Sequence, residues 1–204
     1  MLLSRRAVAG AGVAALAGIA PAVAQTSDEM TIGAGGAPVS LVEYASSTCS
    51  HCAAFHEHNW AALKTNYIDT GRVRLTMREL LTPPPAVALA MFQLARAQGA
   101  DANEYFRRLA ILYRRQRTLL QAGALEDLRL GLVGLGGEWG LTEAQVMASL
   151  NDRNGVARIR RSIAEADGRG VTGTPTFFLN GRRVTDHAFH TPDGMARALD
   201  AAAG

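Results

Sequence analysis

The first third of the chain alternates strand-like and helix-like patterns of apolar residues. The apolar run 39–45 predicts a β strand, and the alternation of polar and apolar positions over 72–77 predicts a second one. Residues 53–68 between them carry apolar side chains at helical spacing. The polar, glycine-rich lead-in contains a short candidate strand at 30–33. This region therefore predicts a β-α-β unit.

The middle of the chain is helical in pattern from about residue 86 to 151. The prolines at 83–85 precede it, and we expect them to stop regular structure and act as a stiff connector. Thr142 and Gln145 have the spacing of a capping box, which predicts a short helix through Leu150. Three apolar stripes predict packing faces: Ala88, Met91, Phe92 and Ala95; Tyr105, Leu109, Leu112 and Tyr113; Leu125, Leu128, Leu132 and Leu135.

Strand patterns return near the C-terminus. Residues 176–179 are rich in β-forming side chains, and the Asn180-Gly181 pair that follows is a strong hairpin signal, with 182–184 as the partner strand. Residues 192–203 predict a final helix. A helix ahead of the hairpin, ending near Gly168 or Gly170, is predicted by four apolar residues: Val156, Ile159, Ile163 and Ala166.

The N-terminus has the organisation of a secretory signal peptide. Arg5 and Arg6 precede an Ala/Gly/Val/Leu stretch, and a cleavage site of the A-x-A type follows Ala24. The arginine pair is also compatible with a twin-arginine signal, so both export routes, Tat and Sec, stay open. We expect residues 1–24 to be removed and the remaining 180 residues to work in the periplasm, an oxidising compartment.

Charge excludes some classes of function. The signal segment carries two of the 21 basic residues and no acidic one, so the formal net charge falls from +3 to +1 on cleavage. Such a balance gives no reason to expect nucleic-acid binding. We expect the local arginine cluster in the helical region to form a solvated helix face; its members are Arg107, Arg108, Arg114, Arg115 and Arg117.

The only two cysteines, Cys49 and Cys52, form a C-x-x-C motif between the first main strand and its helix. This is the thioredoxin-type redox arrangement. A thiol at a helix N-terminus faces free N–H groups and the positive end of the dipole, which favour the thiolate that attacks disulfides.

Two other uses of the cysteine pair stay open. A structural disulfide would close a loop of about four residues, for which the gain from loop closure is small. A zinc site would need more ligands, such as His56 and His58, because zinc usually takes four. Haem attachment requires histidine directly after the second cysteine, and position 53 is alanine.

The order of elements predicts an α/β protein with a thioredoxin fold interrupted by an inserted α-helical domain. We expect the thioredoxin-like domain to comprise residues 25–82 and 152–204, and the insertion to comprise residues 83–151.

The segment 43–52, EYASSTCSHC, together with 171–177, VTGTPTF, resembles the DsbA family of thiol:disulfide oxidoreductases over nearly the whole chain after the signal. The segment Arg78-Glu79-Leu80 also resembles that family. Ser50 and Thr174 depart from its best-known members, which have proline and often valine there. The resemblance implies that Cys49 is the nucleophile and Cys52 the buried resolving thiol.

The chemistry of the neighbouring side chains predicts roles for His51 and Ser50, and the resemblance implies one for Pro175 and Thr174. His51 would stabilise the Cys49 thiolate, and Ser50 would donate a hydrogen bond to it or cap the helix. Pro175 would follow a cis bond and face the disulfide, so that the backbone of Thr174 is open to a substrate strand. A trans proline at an edge strand is the ordinary alternative.

Glu43 is an acid within an otherwise apolar strand, six residues before Cys49. Burying a carboxylate is costly, which favours a function beneath the active site, where it would accept and return the Cys52 proton. We expect the other histidines, His56, His58, His187 and His190, to be surface groups. We expect Trp60 and Trp139 to be packing residues.

These features predict an exported dithiol oxidase that passes its disulfide to reduced proteins. By resemblance, a membrane oxidase of the DsbB type would recharge it, with no bound cofactor or metal and no membrane anchor after signal cleavage. Thr174 favours the alternative of a disulfide isomerase or reductase, although the lead-in is too short for the dimerisation module of DsbC-type proteins. A non-enzymatic metal-binding protein using the two thiols is the other alternative.

Overall fold

The computed structural model describes residues 29–204. The predicted signal peptide, residues 1–24, lies outside them. The described residues contain five strands: β1 (Met30–Ile32), β2 (Val39–Ala45), β3 (Val73–Glu79), β4 (Thr176–Leu179) and β5 (Arg182–Arg183). They contain seven α helices: α1 (Ser50–Leu63), α2 (Pro85–Ala95), α3 (Ala102–Leu120), α4 (Leu125–Glu138), α5 (Glu143–Leu150), α6 (Arg153–Gly168) and α7 (Pro192–Ala203).

The strands form one sheet in the order β1-β3-β2-β4-β5. β2 pairs in parallel with β3 and antiparallel with β4, so it occupies the centre of the sheet. Its side chains therefore meet packed elements on both faces. Val39 and Leu41 face the main core, whereas Tyr44 packs with Phe178 in a smaller cluster on the other face.

Several predicted bounds are confirmed, including those of β2, β4 and α7. The helix after the cysteines begins at Ser50 instead of residue 53, and its last turn widens into a π-helical segment, Lys64–Ile68. β3 runs to Glu79, two residues past the predicted end. Glu79 is buried there because Arg96 and Tyr105 both hydrogen-bond to its carboxylate, at 2.7 and 2.8 Å.

The predicted hairpin between β4 and β5 is confirmed. Asn180 and Gly181 both have positive φ, +47° and +79°. Asparagine and glycine tolerate this left-handed region, and a turn with positive φ at both central positions matches the twist of the flanking strands.

The proline run begins a helix, in contrast to its predicted role as a connector only. Pro84 is the N-cap of α2 and Pro85 its first residue, where the missing N–H costs nothing. The capping box at α5 is confirmed: Thr142 Oγ1 accepts from Gln145 N at 3.2 Å, and Gln145 Oε1 accepts from Thr142 N at 2.9 Å.

The helices α2 to α5 lie in the chain between β3 and α6, and the predicted thioredoxin fold with a helical insertion is confirmed. Two of the predicted apolar stripes are buried throughout. The third is wrong at one end: Leu125 is 84% exposed because it begins α4 at the surface, while Leu132 and Leu135 are buried.

The arginine cluster is solvated except for Arg108, which is buried. Its guanidinium donates to the carbonyls of Ala95 and Ala97, pairs with Glu104 and lies over the ring of Trp139. The prediction of a fully solvated face is therefore wrong at Arg108. Its guanidinium donates hydrogen bonds to backbone carbonyls at the end of α2 and just beyond it.

Candidate active site

The loop between β2 and α1 carries Cys49 and is held by buried hydroxyl groups. Ser46 Oγ accepts from the backbone N–H of Thr82 at 3.0 Å. Thr48 Oγ1 donates to the carbonyl of Thr82 at 2.9 Å, and Ser47 Oγ donates to the carbonyl of Ala88 at 2.9 Å. These bonds fix the loop against the chain that follows β3, so Cys49 begins α1 from a rigid support.

Gln116 of α3 also supports the loop. Its Nε2 atom donates to the carbonyls of Ser47 and Cys49, at 2.8 and 3.1 Å, and the side chain is buried. Sequence reasoning missed this residue. The one available signal was its spacing, four residues after Leu112, which places a polar side chain on the buried stripe of α3.

The two thiols differ in environment. Both are free, with Cys49 half-buried as the N-cap of α1 and Cys52 fully buried in its first turn. The pKa of Cys49 is lowered to about 5, mainly by the hydrogen bond from the Cys52 side chain. Thr174 and the backbone N–H groups of Cys52 and His51 lower it further, against the opposing effect of burial.

The pKa of Cys52 is raised well above its ordinary value. Burial is the largest cause, and the hydrogen bond and charge of Cys49 and the charge of Glu43 add to it. One thiol of the pair is thus stabilised as an anion and the other as a neutral group, which separates an attacking thiol from a protonated partner.

The peptide bond between Thr174 and Pro175 is cis, as the sequence resemblance implied. The loop brings the Thr174 carbonyl oxygen to 3.3 Å from Cys49 Sγ, which donates to it. The Thr174 hydroxyl is buried without a hydrogen-bond partner, and the Thr174 side chain is one of the groups that lower the pKa of Cys49. Thr176 closes the loop by donating to the Gly173 carbonyl at 2.7 Å.

Ser50 and His51 are exposed at the start of α1. The α1 N-cap has no side-chain hydrogen bond, so Ser50 does not cap the helix in this structure. His51 acts on Cys49 through its backbone N–H.

Glu43 is completely buried on the face of β2 that meets α1. Its carboxylate oxygens each lie 3.1 Å from Nε2 of His56. The prediction that His56 is a surface group is therefore wrong: the side chain faces the sheet because Glu43 supplies a buried hydrogen-bond partner. His58, His187 and His190 are exposed as expected.

A groove of about 690 Å³ runs between α1 and α3 beside the cysteines. Its lining includes Ser50, His56, Trp60, Tyr113 and Gln116. Trp60 packs against the core, which confirms its predicted role, and so does Trp139.

Within residues 29–204, no three His, Cys, Asp or Glu side chains are grouped in a way that could hold a metal ion. Over the same residues, the helices are too short or too polar to cross a membrane.

A family model described as thioredoxin matches residues 25–201. A Rickettsia typhi protein named "Putative protein-disulfide oxidoreductase" is 30% identical over 176 residues, which cover 86% of this chain and 62% of that protein. A protein of the same description from Rickettsia prowazekii is 28% identical, over 86% and 61% of the two chains. This chain thus spans about three fifths of the length of these curated relatives.

Solved structures of low sequence identity share the fold. Wolbachia pipientis alpha-DsbA1 matches with a TM-score of 0.73 and 22% identity over 86% of this chain and 91% of that chain. BdbD from Bacillus subtilis matches with a TM-score of 0.71 and 16% identity over 86% and 93%. The resemblance to DsbA proteins is confirmed in the fold, and the match over residues 25–201 shows that the chain belongs to the thioredoxin family.

Proposed function

We propose that the protein is a thiol:disulfide oxidoreductase that exchanges disulfides with substrate proteins through Cys49 and Cys52, acting as a dithiol oxidase. The observation that carries the proposal is the lowered pKa of Cys49, about 5, beside a buried Cys52 whose pKa is raised. Stabilising the thiolate favours the reduced form of the pair, and a pair that favours reduction is an oxidant.

The reaction begins when a substrate thiolate attacks Cys49 Sγ in the oxidised pair. The Cys49–Cys52 bond breaks, a mixed disulfide forms at Cys49, and Cys52 leaves with the electron pair and takes up a proton. A second substrate thiolate attacks the substrate sulfur of the mixed disulfide and releases Cys49 as a thiolate. The substrate loses two electrons and two protons; one proton stays on Cys52 and one goes to solvent.

The polarity of the pair fits this direction of attack. Cys49 is the accessible sulfur, and its low pKa makes it a good leaving group in the second step. Cys52 is buried and stays protonated, so it does not compete by attacking the mixed disulfide as a thiolate.

The cis-proline loop provides a docking edge in this proposal. The Thr174 carbonyl already accepts a hydrogen bond from the reduced Cys49 thiol. A substrate strand that adds to this edge can donate a backbone N–H to the same oxygen, which places its cysteine beside Cys49. Pro175 lacks an N–H and so offers no backbone donor of its own at this edge.

The remaining roles are also part of the proposal. His51 stabilises the thiolate through its backbone N–H and, when protonated, through its ring. Ser50 offers a hydroxyl at the rim of the site, and Glu43 exchanges the Cys52 proton. Residues 1–24 direct export to the periplasm, residues 83–151 form the inserted helical domain, and a membrane oxidase of the DsbB type restores the disulfide.

The test is the oxidation of a reduced dithiol peptide by the oxidised protein, followed by thiol labelling. Wild type should convert the peptide to its disulfide with one equivalent of protein reduced. Cys49→Ser should abolish the reaction with the fold intact, and Cys52→Ser, which cannot form the intramolecular disulfide, should likewise oxidise no peptide. Unchanged oxidation by Cys49→Ser would overturn the mechanism.

The same preparation separates the other functions. Thr174 favours an isomerase or reductase, which would rearrange a scrambled disulfide substrate faster than it oxidises the peptide. A metal-binding protein would bind zinc or copper tightly with one-to-one stoichiometry in the reduced state, lose that binding in Cys49→Ala, and oxidise nothing.

A further inference from the structure

Glu43 and His56 form a buried pair, of which the function proposed above uses only Glu43. The side chains of His56 and Glu43 are 3% and 0% exposed, and both carboxylate oxygens lie 3.1 Å from Nε2. Burying a carboxylate next to the core is costly unless a partner compensates it. The hydrogen bonds between His56 and Glu43 offset part of this cost. The charge of Glu43 also acts on Cys52, which places the pair close to a thiol that gains and loses a proton.

The other ring nitrogen of His56 is unusual. Nδ1 is buried and has no hydrogen-bond partner. An imidazole with one nitrogen bound to a carboxylate and the other unpartnered can take a proton on one side and release one on the other. The ring packs against those of Trp60 and Tyr113, with centroids 5.3 and 4.7 Å away.

His56 also connects the buried carboxylate to the surface. The residue lines the groove between α1 and α3, whereas Glu43 does not. Tyr113, whose hydroxyl is likewise buried without a partner, lines the same groove. An ionisable side chain therefore lies between Glu43 and the groove.

Resting on the function proposed above, we propose that His56 is a positioning residue that acts through Glu43. It holds the carboxylate beside Cys52 and relays the Cys52 proton between Glu43 and the groove. When Cys52 leaves as a thiolate, Glu43 gives it a proton, and Nε2 of His56 replaces that proton. Nδ1, which is buried at rest, then takes one from water that reaches it through the groove. Cys52 gains one proton, water loses one, and the pair carries the same number before and after.

Other ionisable side chains surround the pair, and Glu57, Arg114 and Arg117 line the same groove. Cys52 faces the pair from α1, Tyr105 and Tyr113 from α3, and His190 from the 3-10 turn His187–His190. Burial raises the pKa of both tyrosines, so they stay neutral, and burial lowers the pKa of His190, which favours its neutral form.

The test uses His56→Gln, because a glutamine amide can still donate to Glu43 but cannot relay a proton. The matched control is His58→Gln, on the exposed side of the same helix. The oxidised proteins are reduced with a small dithiol in rapid-mixing experiments from acid to neutral pH. Unfolding transitions and the Cys49 titration of each variant are recorded alongside.

We expect His56→Gln to slow reduction at neutral pH by at least about tenfold, less than the ~10²–10⁴ of full general acid–base catalysis because Glu43 remains. After correction for the thiolate fraction of the dithiol, its rate should also lose the remaining pH dependence of wild type, while the Cys49 titration is unchanged. A rate–pH profile superimposable on those of wild type and His58→Gln would overturn the relay. Failure of wild type itself to cycle would instead overturn the function on which the relay rests.

A second variant keeps the test decisive if glutamine does not fit. His56→Ala opens a space that is continuous with the groove, and added imidazole should restore the reduction rate in a saturable way. His58→Ala should gain nothing from imidazole. Absence of rescue in a folded His56→Ala protein would contradict the relay.

Discussion

The sulfur of Cys49 lies 3.3 Å from the carbonyl oxygen of Thr174, although 125 positions separate the two residues in the chain. The helix start supplies the nucleophile, and the cis-proline loop supplies a polar edge at hydrogen-bonding distance. Thr174 therefore meets Cys49 through two groups. Its carbonyl accepts the hydrogen bond and could come from any residue, whereas its hydroxyl lowers the Cys49 pKa and is found in few residue types.

Replacing Thr174 with valine separates these functions. Thr174→Val keeps the carbonyl and the shape but removes the hydroxyl that stabilises the thiolate, so the Cys49 pKa should rise above about 5. Ultraviolet absorbance of the thiolate against pH measures it. Thr172→Val, in an exposed part of the same loop, is the control. An unchanged titration in Thr174→Val would show that the hydroxyl does not act on Cys49.

His51 offers a comparison between a ring and a backbone group. His51→Pro removes the backbone N–H that lowers the Cys49 pKa, whereas His51→Ala removes only the ring. We expect the proline variant to raise the Cys49 pKa more than the alanine variant does, by the same absorbance titration. Equal shifts in the two variants would assign the effect to the ring alone.

The lowered pKa of Cys49 makes the stability of the reduced protein depend on pH. Between about 5 and the ordinary thiol value of 9.0, the unfolded chain binds a proton at Cys49 that the folded one has lost. The stabilisation that the Cys49 thiolate contributes is therefore fully present above the thiol pKa of the unfolded chain, and it is lost as pH falls towards 5. The difference in unfolding free energy between reduced wild type and Cys49→Ser should grow with pH, as denaturant titrations at several pH values would measure. A difference independent of pH would contradict the assignment.

Gln116 provides a test of how the loop is supported. Gln116→Leu keeps most of the side-chain volume but removes both hydrogen bonds to the loop, and the buried Ser47 carbonyl loses its partner. We expect a loss of about 1–3 kcal/mol in the free energy of unfolding. Gln121→Leu, at the exposed end of the same helix, should change stability little. Equal stability of the two variants, measured by denaturant unfolding, would mean that the loop keeps its structure without the hydrogen bonds from Gln116.

The sheet and most helices could be predicted from sequence because they follow local rules. The strand 39–45 is a continuous apolar run, Asn180-Gly181 fits a turn with positive φ, and Thr142 with Gln145 forms a cap from four consecutive residues. Each signal lies within one segment, so no knowledge of the tertiary contacts is needed to interpret it.

The burial of some side chains could not be predicted, because it depends on partners outside their own segment of the chain. His56 and Arg108 look like surface residues, yet one is buried by Glu43, 13 positions away, and the other by carbonyls at the end of α2. Leu125 shows the reverse case, because its stripe continues one turn beyond the region where α4 is covered. Polar residues on a buried stripe, such as Gln116, are where this kind of error is to be expected.

The central claim is that Cys49 and Cys52 form an oxidising pair, and its most direct test is the reduction potential of that pair in glutathione buffers. The lowered Cys49 pKa predicts a potential well above the value of about −270 mV found for thioredoxin. A potential near that of thioredoxin, or a pair that does not cycle between disulfide and dithiol, would contradict the assignment of a dithiol oxidase.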